Sequence, residues 1–333
     1  MLPTGQLAAS LAGKRVRHLA IRKCPEMSGR RLCSALVFIT ACCSPGTPWA
    51  QFTDPRNYTV APVVLNQLEL NYSYAHADDS IDTSLEVVGA HLALNVATLS
   101  YTHNFSALGH LAWVKVSVPF ASVGGSVAGT TLSGSTTGAG DSSLQFAALL
   151  KGGRALTAAE FATYEPATTL GVSLTVSAPT GEYDPEKLVN LGEDRWSFKP
   201  EFAVSYPFGP ERRWEVDAYV NAYFFTDNTE YRGVEILRQE PLPGLEGHLS
   251  YSITPSVWTS LDLRYSLRGV TVVDGLSQND AQENLTAGAE ASWSPNAHNS
   301  LDLVFAKAVV HRNSPAYTGA SLKYVYSWGS GAE

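Results

Sequence analysis

From Trp214 to Phe224 the chain alternates without a break. Trp214, Val216, Ala218, Val220, Ala222 and Phe224 fall on one parity, and Glu215, Asp217, Tyr219, Asn221 and Tyr223 on the other. A β-strand sends successive side chains to opposite faces, so this stretch has one apolar face and one polar face. One such strand would suit a half-buried sheet in any soluble protein. Here the pattern recurs, and the links between repeats alternate short and long. Apolar-out, polar-in alternation with that loop asymmetry predicts an all-β chain folded as a transmembrane, antiparallel, up-and-down β-barrel of about 12 strands.

The first strand is expected over Leu65–Tyr74, and the second over Glu86–His103 with a bulge where the phase breaks near Thr98. The third centres on Val114–Phe120, the fourth on Leu144–Leu150, the fifth on Thr168–Ala178 and the sixth on Trp196–Tyr206. After the opening segment come Leu245–Ile253, Thr259–Leu267, Leu285–Trp293, Leu301–Phe305 and Leu322–Trp328. Each has roughly the ten residues that a tilted strand needs to cross hydrocarbon. Asn104–His110, Pro207–Arg213, Thr254–Ser256 and Ser294–Asn299 read as tight turns, and the links 75–85, 121–140, 179–195, 226–243, 268–283 and 309–317 as long loops. Short turns mark the periplasmic side and long loops the exterior. One link departs from this: Lys151–Ala167 falls on the turn side yet is long, and its Leu156–Ala162 portion is suited to a helical turn. The Gly-, Ser- and Thr-rich 121–140 link reads as a flexible outer gate or a disordered loop.

The first fifty residues differ from the rest. Met27–Arg31 is short and basic, Leu32–Cys43 is a mostly apolar run, and Ala50 precedes a polar chain. That order is a secretory signal, too short to anchor as a helical span. Residues 1–50 are therefore expected to be removed, with residues 1–26 preceding a second start at Met27. A rival reading takes Ile39-Thr-Ala-Cys42 as a lipoprotein box, although barrels hold themselves in a membrane without a lipid. All four cysteines lie in this region, so the mature part has no thiol. The region also carries seven of the 23 Lys/Arg and one of the 31 Asp/Glu, which leaves 16 basic and 30 acidic residues, a net charge of −14. Such a balance excludes nucleic acid, which needs clustered Lys and Arg. Residues 51–64 precede the first strand, as a periplasmic segment or a lumen plug, and 65–333 form the barrel.

Aromatic residues gather near strand ends: Tyr72, Tyr74, Phe120, Trp196, Tyr206, Trp214, Phe224, Trp258, Trp293, Tyr326 and Trp328. Rings of this kind favour the headgroup level, which gives two girdles in contact with outer-membrane lipid and lipopolysaccharide. The chain closes near Trp328, the aromatic end that outer-membrane assembly machinery reads, although five residues follow it.

The most distinctive stretch is Pro179-Thr-Gly-Glu-Tyr-Asp184, followed by Lys187-Leu-Val-Asn-Leu-Gly192 and Arg195-Trp196. With Gly140-Asp141, Gln239-Glu-Pro241 and Val257-Trp-Thr-Ser260, it resembles the outer-membrane family known as the Putative MetA-pathway of phenol degradation. The resemblance covers roughly residues 55–328 and implies an outer-membrane channel or transporter linked to aromatic or hydrophobic compounds. It carries over no catalytic residues and no cofactor.

A barrel of about twelve strands is wider than the side-chain-filled eight-strand type and narrower than the aqueous porins. The inward set should include Lys199, Glu201, Glu215, Asp217, Asn221, Tyr223, Asp262, Arg264 and Glu290, with His248. Mixed charges there can set selectivity or simply pair with one another, and Tyr219 with Tyr223 would suit an aromatic solute. Glu182, Asp184, Glu186, Glu193 and Asp194 crowd one outer loop, as a solvated acidic loop or a divalent-cation site, though without calcium-loop spacing. Catalysis has little support. His248 and Ser250 are neighbours with no orienting acid evident, and no Gly-x-Ser-x-Gly or His-Glu-x-x-His motif occurs. The expectation is a non-enzymatic channel for small hydrophobic or aromatic solutes. The alternative is a structural or surface-binding barrel with a blocked lumen.

Overall fold

A computed structural model describes residues 53–80, 88–127, 133–187 and 190–329. The expected signal region, the loop tips at 81–87 and 128–132, Leu188, Val189 and the tail after Gly329 lie outside the described residues. The strands are β1 (Asn66–Ser80), β2 (Val88–Ala107), β3 (His110–Val127), β4 (Ser133–Ala139), β5 (Ser143–Lys151), β6 (Thr169–Ser177), β7 (Ser197–Phe208) and β8 (Trp214–Phe225). They continue with β9 (Asn228–Tyr231), β10 (Glu235–Gln239), β11 (Leu242–Thr254), β12 (Val257–Arg268), β13 (Thr271–Val273), β14 (Leu276–Ser277), β15 (Gln282–Asn296), β16 (Asn299–Arg312) and β17 (Tyr317–Trp328).

Thirteen of these form one antiparallel sheet in which β1 pairs with both β2 and β17, so the sheet closes on itself. β4 and β5 share a single position beside β3, broken at Gly140-Asp141-Ser142, which gives twelve staves. All twelve expected strands are present in the expected order, and all but the second keep the expected parity throughout. The β2–β3 link is as tight as a hairpin can be. Leu108 and Gly109 both have positive φ (51° and 80°), the backbone that a two-residue turn with the right twist requires.

The side-chain distribution inverts that of a soluble protein. Leu68, Leu70, Val118, Phe120, Leu261, Leu263, Leu303 and Phe305 are exposed, while Lys199, Glu201, Asp217, Glu246, Asp262, Arg264 and Glu290 are buried. An exposed apolar band of this extent is stable only against hydrocarbon. Aromatic side chains line the turn end of that band, with Phe208 stacked on Tyr206 and Trp214, Trp214 4.6 Å from Tyr251, and Tyr326 beside Trp328.

Several expectations need correction. No bulge occurs at Thr98, because the pairing of β2 with β1 and β3 runs through it without a shift. The apolar pattern changes phase there because Leu92, Leu94 and Val96, though apolar, face inward with Thr98 and Ser100. Trp258 is not part of a girdle; it shares the inward parity of Ser260 and Asp262 and lies under the Arg56 guanidinium, 5.0 Å from it. The 121–140 link is mostly strand, since β3 and β4 continue the hairpin. Strand lengths reach 20 residues in β2 and 18 in β3, well beyond a bilayer crossing. The outer links 226–243 and 268–283 pair with each other as a small sheet of β9, β10, β13 and β14. The long turn-side link contains the expected helical turn, α1 (Ala158–Phe161), closed by a capping box between Thr157 and Glu160.

Candidate functional site: the barrel lumen

The inward-facing charges would be costly to bury singly, so each must find a partner. Much of that pairing comes from the segment preceding β1. Thr53 donates its backbone N–H to Glu246 Oε2 (2.9 Å) and its hydroxyl to Glu201 Oε2 (2.8 Å). Lys199 Nζ sits between the same acids, 2.9 Å from Glu201 and 3.5 Å from Glu246. Asn221 donates to both carboxylates (3.1 and 2.8 Å). Arg56 donates its backbone N–H to Asp217 (3.0 Å) and its guanidinium to Ser250 (2.7 Å) and Ser252 (3.1 Å). The Tyr58 hydroxyl donates to Glu201 (2.8 Å), and its ring is fully buried against Trp113 and Tyr219. Thr53 to Val60 thus runs inside the barrel wall.

Around Tyr58 the interior is apolar. Val60, Leu111, Leu149, Leu156 and Ala203 complete a buried cluster. Leu156 comes from the long turn-side link, and its carbonyl accepts the Val63 N–H at 2.8 Å. The link is long because it turns back into the lumen to meet the N-terminal segment. Together they fill the interior along β3, β5, β7 and β8.

The opposite side, along β1, β2, β16 and β17, is not filled. A cavity of about 70 Å³, open to solvent, lies there. Strand direction orders its lining. Towards the turn end are Asp54, Asn71, Thr98 and Lys323; towards the loop end are Ala75, Leu94 and Val96, with Val304 beside Ser321 and Arg264 on the loop half of β12. Beyond those, Ala77, Leu92, Ala308 and Tyr317 form a further apolar cluster. The cavity thus has an ionic floor and an apolar upper wall. At the floor, Lys323 Nζ is 2.8 Å from Asp54, 3.2 Å from Asp302 and 3.6 Å from Glu290.

All nine residues expected to line the lumen point inward, and eight are buried; Tyr223 is partly buried, with Lys199 Nζ 5.7 Å from its ring centre. They do not form one path. Lys199 and Glu201 bind the N-terminal segment, as does Asp217, which also accepts from the Ser205 hydroxyl; Asn221 reaches it only through Glu201 and Glu246. Glu215 is buried two residues from Asp217 on the same face. Arg264 and Glu290 belong to the cavity side, Arg264 3.9 Å from Glu246. Tyr219 is occupied, its ring edge-on to Tyr58 at 5.3 Å and 5.1 Å from His248. His248 does have an orienting acid, Asp262 (2.7 Å from Nδ1), although the Ser250 hydroxyl is engaged by Arg56. Glu246, Asp302 and Lys323 complete the site; their inward parity was readable beside His248, Leu303 and Tyr324. Asp54, Arg56 and Tyr58 carried no comparable signal.

The distinctive outer motif has a structural explanation. Asp141 accepts the N–H groups of Gly181 (2.8 Å) and Glu193 (2.9 Å), tying the loop to the break between β4 and β5. Burial pushes the Asp141 carboxyl up to about 6, against those two N–H groups. A side chain at Gly181 would meet backbone on both sides, 2.8 Å from Gly140 and Gly192. Asn190 pairs with the Asp184 backbone through both side-chain atoms, and Arg195 bonds Glu193 (2.8 Å) and Gln239 (2.6 Å). Of the acidic residues of this loop, Glu193 and Asp184 make such side-chain contacts, Asp184 accepting the Glu186 N–H at 3.0 Å. Among the described residues no group of three His, Cys, Asp or Glu is placed to hold a metal ion.

The family model for the Putative MetA-pathway of phenol degradation matches residues 77–324. The chain belongs to this family. The crystal structure of an outer membrane channel from Pseudomonas putida F1 superimposes with a TM-score of 0.74 at 24% identity, covering 83% of this chain and all of that one. The β domain of the Bordetella autotransporter BrkA (TM-score 0.50, 11% identity, 80% and 100% coverage) and the transport unit of the Escherichia coli autotransporter AIDA-I (0.50, 10%, 90% and 99%) share the barrel more distantly. At these identities the likeness establishes the fold. No curated protein sequence matches. The family's barrel, with its apolar exterior, is a protein of the Gram-negative outer membrane.

Proposed function

We propose that this barrel is a channel for small, largely apolar solutes, aromatic ones included, which cross by passive or facilitated diffusion through the lumen beside the N-terminal segment. The observation that carries this reading is the unfilled side of the lumen. The segment and the β5–β6 link pack one half with side chains, yet the other half keeps a cavity of about 70 Å³, open to solvent, under an apolar wall. A barrel selected only for rigidity would have no reason to spare that space. The family's description and the channel from Pseudomonas putida F1 support the same class.

A second reading, a structural barrel with a blocked lumen, is favoured by the dense pairing of Lys199, Glu201 and Glu246 with Thr53. Current recorded across a planar bilayer holding the refolded chain from residue 51, with and without a phenolic solute, separates the two. Discrete steps that the solute partly blocks are expected. A folded barrel that passes no current and responds to no solute would favour the blocked form.

A further inference from the structure

We propose that the floor of the cavity is a binding site for small apolar carboxylates, and that a bound carboxylate takes the place of Asp54 on Lys323. The inference rests on the lumen being a solute path and names the class of solute that would be held there.

Lys323 is surrounded by three carboxylates, and they are not equivalent. Glu290 and Asp302 project from wall strands β15 and β16, with side chains 1% and 8% exposed. Asp54 lies on the segment ahead of β1, is 44% exposed, and makes the shortest contact, 2.8 Å. It is the one acid at this floor that can leave without moving the wall. An incoming carboxylate that replaces it leaves the number of charges around Lys323 unchanged, so the exchange avoids stranding a buried ion. An ammonium head would meet Lys323 and Arg264, and a neutral head would leave Lys323 only Asp302 and Glu290, at 3.2 and 3.6 Å. Directly above the floor, Leu94, Val96 and Val304 present an apolar wall to the remainder of such a molecule. The resident carboxylate is thus an intramolecular competitor, present at the high effective concentration that tethering confers.

The test is calorimetric titration of the refolded chain from residue 51 in detergent with benzoate, benzyl alcohol and benzylamine, which share one ring. Benzoate should bind, the alcohol about tenfold more weakly or worse, and the amine not at all. Asp54→Asn removes the competitor and should tighten benzoate binding about tenfold, and Lys323→Met should abolish it. Equal binding of alcohol and benzoate, or retention of benzoate by Lys323→Met, would overturn the proposal. Asp54→Asn alters only the segment, so it decides the matter alone if Lys323→Met fails to fold: unchanged or weaker binding rejects the exchange. Channel steps without benzoate binding would reject this site and leave the channel intact. Benzoate binding to a silent barrel would reject conduction and leave the site.

Discussion

Tyr58→Ala should release the N-terminal segment from the lumen while leaving the barrel closed. The barrel's hydrogen-bonded ladder runs from β1 to β17 without any residue before Asn66. The Tyr58 ring, by contrast, is 0% exposed and packs on Trp113 and Tyr219 at 5.5 and 5.3 Å. Removing a buried aromatic ring costs about 3–5 kcal/mol, the cavity left behind included. Losing the hydroxyl's bond to Glu201 adds roughly 1–3 kcal/mol, because that carboxylate stays buried. Since only the segment needs to leave, the loss falls on its docking equilibrium, which should move towards the open state by about a thousandfold or more. Hydrogen exchange read at the amides of Thr53, Arg56 and Val63, which donate to Glu246, Asp217 and Leu156, reports docking directly. Tyr58→Phe keeps the ring and should show only the smaller effect. If the three amides of Tyr58→Ala stay as protected as in the unaltered protein, Tyr58 does not anchor the segment and the reasoning fails.

Lys199→Met should lower the denaturation midpoint in detergent by an amount equivalent to about 3–5 kcal/mol, because it leaves Glu201 and Glu246 buried without their cation; a midpoint unmoved would mean that water already neutralises them. Gly181→Ala places a Cβ 2.8 Å from the Gly140 and Gly192 backbone, so limited proteolysis should cut the 179–195 loop far faster than in the unaltered protein, with the barrel's circular dichroism retained. The Asp141 latch should depend on pH. Its folded carboxyl, at about 6, lies above an unfolded value near 3.9. Its contribution is therefore full below the unfolded value and is lost as pH rises through about 6. Exchange of the Gly181 and Glu193 amides, corrected for intrinsic base catalysis, should accelerate across that window, and a flat corrected rate would refute the assignment.

The fold was legible because a membrane barrel leaves its two faces in the sequence at a period of two. Parity alone assigns Asp217 and Arg264 to the interior and Leu261 and Phe305 to the lipid. It misled where an inward position is apolar, as at Leu92, Leu94 and Val96, and where an inward position is aromatic, as at Trp258. Those exceptions are informative: they mark the apolar wall of the cavity and the contact with Arg56. The filling of half the lumen was not legible. Thr53 to Val64 has no period, and nothing in Tyr58 or Arg56 announces contacts with Glu201 or Asp217, more than a hundred residues away. The outer motif stood out in the sequence for a reason unrelated to solute. Gly181, Gly192 and Asp141 close a loop over the broken stave.

The central claim is that the lumen conducts and that the N-terminal segment narrows it. Single-channel conductance of the refolded chain from residue 51, compared with one lacking residues 53–61, tests it most directly once circular dichroism shows both barrels folded. The account predicts small discrete steps for the first and distinctly larger ones for the second. Steps of equal size would remove the segment from the path, and silence from both folded barrels would contradict conduction altogether.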